Sequence, residues 1–130
     1  MIVRHIDDVH GTDKEIKADN WISTRLLLKN DKMGFSFHET IVLPNTETNI
    51  CYTNHLEAVY CIEGDGEIEE VDGTIHKITP GVIYALDKHD KHKLRAFSKM
   101  KMICVFNPAL VGSEIHDDYG AYALLESANV

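Results

Sequence analysis

The chain has 130 residues, 44% hydrophobic and 26% charged, which makes a single domain long enough to bury a core. Its 13 Lys and Arg against 21 Asp and Glu leave a formal charge of −8, which speaks against the clustered basic footprint of a nucleic-acid binder. No run approaches the roughly 18 apolar residues of a membrane span. The opening MIVRHIDDVHGTDKE also lacks the apolar core of a signal peptide, so the expected location is the cytoplasm. Cys51, Cys61 and Cys104 agree with it: the count is odd, there is no CxxC, and each sits in an apolar run, as reduced thiols do.

In chain order, residues 4 to 20 hold a strand and a little helix, and WISTRLLLK is the first clear strand, closed by NDKMG. In FSFHETIVL the alternation puts Phe35, Phe37 and Glu39 on one face and Ser36, His38 and Thr40 on the other. PNTET reads as a turn and NICYT as a resumed strand. LEAVYCIEG is the most strand-like piece; GDG turns it into GEIEEV, and Asp72-Gly73 marks a hairpin. TIHKI, VIYAL, HKLRAF and MKMICVF follow at short spacing, and GSEIHDDYGAYALLESANV is a tail of weak periodicity. Nine or ten short strands predict an all-β domain over residues 1–130: two packed antiparallel sheets or a barrel, with a tail from about 112.

HLEAVYCIEGDGEI, residues 55 to 68, carries the first chemical oddity. His55 and Glu57 are two apart on a strand and so share a face. Either Glu57 faces solvent, or it points inward and needs a hydrogen-bonding, ionic or metal partner. TPGVIYALDKHDKHKL repeats the oddity, with Tyr84 in an apolar strand and His92 after a polar turn. Glu57, Tyr84 and His92 together offer an O/N donor set suited to iron, with manganese or zinc as alternatives. Taken singly, Tyr84 reads as a core tyrosine and His92 as a solvated turn histidine.

The spacing of these residues resembles the cupins, small β-barrels that bind a metal through two short motifs. Glu57 and Gly64 match the end of the first motif, and Gly81 and His92 fall in register with the second. Ile50 and Tyr52 stand where the paired histidines of the first motif belong, and Asp87, His89 and Ala96 replace the Pro, Gly and Asn of the second. The three-His, one-Glu cupin site therefore cannot be built, and only an altered metal site remains. WISTRLLLK, MGFSFHET, NHLEAVYCIEGDGEI, YALDKHDKH and VFNPALVGSEIHDDYGAY look, nearly end to end, like the ectoine synthase branch of the cupins.

That resemblance implies a cupin β-barrel whose tail acts as a lid. It implies Fe2+ on Glu57, Tyr84 and His92, and a cyclising, water-eliminating condensation of N4-acetyl-L-2,4-diaminobutyrate to ectoine for protection against osmotic stress. Such a reaction calls for a Lewis acid at the acetyl carbonyl, a cavity that curls the substrate, and an acid/base group. By the same resemblance, Trp21, Arg25, Thr40, Tyr52 and Phe106 line the pocket, and Glu114 and His116 reach the ligand from the tail. Trp21 and Phe106 would be apolar walls, and Arg25 a fork for the substrate carboxylate. Thr40 and Tyr52 would be hydrogen-bonding groups, Cys104 a pocket thiol, and Glu114 the partner or proton acceptor of the ammonium. The catalytic set implied is Glu57, Tyr52, Tyr84 and Glu114, with His55 orienting the Glu57 carboxylate. His38 has no assigned role.

Two rival readings are a cupin dioxygenase or isomerase on the same iron, and a sensory small-molecule barrel. The mixed donor set fits oxygen activation poorly, and no second domain accompanies a sensor. Family habit and unpaired sheet edges predict a homodimer, with no nucleic-acid or membrane partner.

Overall fold

The computed structural model describes residues 1–117 and 120–122. Among the described residues ten strands form two antiparallel sheets: β1 (Glu15–Lys17), β2 (Trp21–Leu27), β3 (Ser36–Val42), β4 (Thr46–Ile50), β5 (Leu56–Glu63), β6 (Gly66–Glu70), β7 (Ile75–Ile78), β8 (Ile83–Leu86), β9 (His92–Ala96) and β10 (Met100–Asn107). The larger sheet runs β1-β2-β3-β10-β5-β8 and the smaller β4-β9-β6-β7. A 3-10 turn at Ile6–Asp8 precedes them. Among the described residues no helix is long and apolar enough to cross a membrane.

Alternation decides which side chains enter the barrel. On β10, Met100, Met102, Cys104 and Phe106 are buried, and on β5 Glu57, Val59 and Cys61 are. Phe106 lies opposite Glu57 on one side and opposite Ser36 on the other, so three central strands converge on one layer. Burying Phe106 stabilises the fold by roughly 2–3 kcal/mol. The outer face of the small sheet is charged: Arg95 on β9 bonds Glu47 and Glu67 and pairs with Glu69. Gly64 shows why its position admits no side chain. Its φ is +88°, and a Cβ would lie 2.2 Å from the Lys99 carbonyl.

One boundary differs from the sequence reading. The strand is Thr46–Ile50, so most of PNTET is strand and most of NICYT is not. Pro44 and Asn45 make the turn, Asn45 at φ 58°. The Cys51 amide then donates to the Gly120 carbonyl, leaving the sheet to hold the segment after β10.

Candidate active site

The inner faces enclose a cavity of about 40 Å³. Of the residues singled out by sequence, Trp21, Thr40, Tyr52, Glu57, Tyr84, Cys104, Phe106 and His116 line it. Glu57 is buried at the inner end of β5, and desolvation pushes its carboxyl up to about 8; the Cys104 side chain is its hydrogen-bond partner. Tyr84 stands on the neighbouring strand β8, and burial raises its phenol well above the ordinary range. His92 opens β9 with its ring 6.4 Å from that of Tyr84. Its Nδ1 donates to the Asp90 carbonyl at 2.9 Å, while Nε2 is buried with no partner. That bond fixes the tautomer and leaves Nε2 with a free lone pair, as a metal ligand requires. Among the described residues no three His, Cys, Asp or Glu side chains are grouped to hold a metal. The group able to do so is mixed: a carboxylate, a phenol and an imidazole, which fits a hard-to-borderline divalent ion.

The residues after β10 form the aromatic side of the cavity. His116 lies 5.0 Å from Trp21 and 5.4 Å from Tyr52, ring to ring, and accepts or donates a 2.7 Å hydrogen bond with Tyr52. Burial lowers the His116 imidazole to about 4 and raises the Tyr52 phenol, so both are neutral at pH 7.

Four singled-out residues sit behind this wall. Arg25 is fully buried, with Nε on Ser23 and Nη1 on the Gly112 carbonyl; its Nη2 has no partner. Glu114 accepts the Val111 and Gly112 amides at 2.8 Å each and lies 3.9 Å from Arg25, so both its oxygens are engaged. In this arrangement Glu114 closes a turn over a buried cation. His55 is buried with Nδ1 unpaired, and no hydrogen bond joins it to Glu57. His92 lines an adjoining groove, on the same buried face of β9 as the cavity-lining Leu94.

Three residues gain a role that sequence did not assign. His38 lines the cavity, with Nδ1 on Ser23 Oγ at 3.3 Å and Nε2 buried and unpaired. Tyr122 stacks on Tyr52 at 4.9 Å and carries the Arg25 guanidinium 5.5 Å above its ring. Asn54 holds it in place by donating to its carbonyl. His89 takes the left-handed backbone, φ 55°, at the position where the cupin motif has glycine. Its Nδ1 bonds the Tyr52 and His55 carbonyls at 2.8 and 3.1 Å, so the departure from the motif is compensated locally.

A profile of the ectoine synthase family matches residues 1–126. The chain belongs to that family. It is 59% identical over 125 residues to the L-ectoine synthase of Hahella chejuensis (strain KCTC 2396), covering 95% of each chain. It is 57% identical over 129 residues to that of Desulfatibacillum aliphaticivorans, covering 97% of this chain and 99% of the other. A crystal structure of ectoine synthase from P. lautus superposes with a TM-score of 0.87 at 52% identity, covering 99% of this chain and 94% of that one. An RmlC-like cupin from Shewanella frigidimarina shares the fold alone, with a TM-score of 0.62 at 19% identity, covering 73% of this chain and 82% of that one. As a member of the ectoine synthase family the chain is an enzyme of the lyase kind, acting on a small molecule. Its fold is the expected all-β cupin.

Proposed function

We propose that the cavity closes the ring of N4-acetyl-L-2,4-diaminobutyrate, with loss of water, and that Glu57, Tyr84 and His92 hold Fe2+ beside it. The observation that carries this reading is the buried, unpaired, tautomer-fixed Nε2 of His92, on a ring 6.4 Å from that of Tyr84. A bound Fe2+ supplies Lewis-acid polarisation of the acetyl carbonyl. The chain's own residues do the rest. Trp21 and Phe106 wall the substrate from water, which opposes a dehydration, and hold amine and carbonyl in contact. Thr40 and Tyr52 hydrogen-bond it, and the free Nη2 of Arg25 is the donor kept for its carboxylate. The neutral Tyr52–His116 pair offers the reacting amine and the departing hydroxyl hydrogen-bonding partners.

A cavity of about 40 Å³ is smaller than the roughly 150 Å³ that admits benzene. Part of the wall must therefore give. His116 and Tyr122 lie outside any strand and are the members that yield, so the segment after β10 serves as the lid. Residues 118–119 and 123–130 of the expected tail lie outside the described residues. On the same reading the enzyme works in the cytoplasm, its product counters osmotic stress, and two copies pair. The exposed Ile83 on edge strand β8, with Tyr60 and Ile62 on β5, supports the pairing.

The test is to mix purified protein, with Fe2+ and without, with N4-acetyl-L-2,4-diaminobutyrate and follow ring closure by chromatography. Iron-dependent ectoine formation is expected; no ring under any metal would overturn the reading.

A further inference from the structure

Tyr84 has two exposures. One side of it lines the cavity; the other lines a separate groove of about 170 Å³ between the two sheets. That groove is bounded by Glu70 on β6, His76 on β7, Asp87 and Asp90 in the loop after β8, and His92. His92 sits opposite Glu70 in the β6–β9 ladder, and its side chain is nearly fully buried with Nε2 unpaired. Two members of the donor set, Tyr84 and His92, thus border the groove, and two, Glu57 and Tyr84, border the cavity.

The groove has the chemistry of a cation passage. Its space equals that of roughly five or six waters, enough for a hydrated divalent ion. Three carboxylates line it, one of them Glu70, bonded to His76 at 2.7 Å. Lys88 and Lys91 of the same loop are exposed and do not line it. The cavity mouth is different: Trp21, Tyr52, His116 and Tyr122 make it aromatic and, at pH 7, uncharged. A hydrated cation gains nothing on that route, whereas a low-dielectric cleft of one charge sign concentrates counter-ions.

We infer that this acidic groove is the port through which a divalent metal reaches Glu57, Tyr84 and His92, separate from the mouth that admits substrate. The inference rests on the ligand set proposed above. Metal can then load or exchange while the cavity is occupied, and the lid need not open for it.

Stopped-flow uptake of Fe2+ by the metal-free protein tests this, with Trp21, the only tryptophan, as fluorescent reporter and bound iron measured after desalting. The variant is Glu70→Gln with Asp87→Asn; Asp90 is spared because its carbonyl orients His92. Uptake at low ionic strength is expected to slow about tenfold and to lose most of its salt dependence. Iron bound at equilibrium and the KM for substrate should stay within about twofold of wild type. Saturating ectoine should leave wild-type uptake unchanged. Unaltered uptake in the double variant, or uptake blocked by ectoine, would overturn the port. Equal iron binding by wild type and Glu57→Gln would overturn the ligand set itself, and the port with it.

Discussion

Tyr52 Oη and His116 Nε2 stand 2.7 Å apart, so one hydrogen bond ties the loop after β4 to the segment after β10. The contact has a pH cost. The imidazole titrates near 4 in the fold and near 6.5 when exposed, so the unfolded chain binds the extra proton first. This contribution is fully present above pH 6.5 and is lost as pH falls towards 4. At pH 5 the loss is on the order of 2 kcal/mol. Urea unfolding at pH 7 and pH 5 should show wild type losing that much more than His116→Gln. Equal losses would mean that His116 is not held neutral by its surroundings.

Arg25 and Glu114 are both buried, 3.9 Å apart, with Glu114 also capping two amides. Glu114→Gln replaces one acceptor oxygen by a donor facing an amide and leaves the guanidinium without its counter-charge. Breaking such a pair costs about 3–5 kcal/mol. A large drop in urea midpoint is therefore expected. If the midpoint held while turnover collapsed, the carboxylate would be serving the chemistry and not the turn.

Gly120 has φ +76°, and a Cβ there would stand 2.2 Å from the Asn49 carbonyl. Gly120→Ala adds about 1–2 kcal/mol of left-handed strain to that clash. The segment should lift from the β4–β5 loop, freeing the Cys51 amide that donates to Gly120. Hydrogen exchange at Cys51 is expected to quicken at least tenfold; protection equal to wild type would show that the segment is held elsewhere.

The sheets were legible because residue pairs two apart share a face. FSFHETIVL put Ser36, His38 and Thr40 together, and they do point inward, with His38 and Thr40 on the cavity. Gly64 and Glu57 were legible through motif spacing. What alternation cannot convey is a contact made by non-periodic chain. Tyr122 sits in a tail with no strand period, and its place is set by Asn54 and Arg25, far away in sequence. His89 reads only as a departure from the motif glycine, and its left-handed backbone and two carbonyl bonds disclose its task. The family resemblance implied that Arg25 and Glu114 meet substrate, but it could not say that Gly112 and Val111 already occupy much of their hydrogen-bonding capacity.

Iron bound per chain, measured after anaerobic loading and desalting for wild type and for His92→Ala, is the most direct test of the proposed centre. The account predicts close to one iron in wild type and almost none in the variant, with ring closure lost in parallel. Full iron occupancy in His92→Ala, or ring closure that continues without iron, would contradict it.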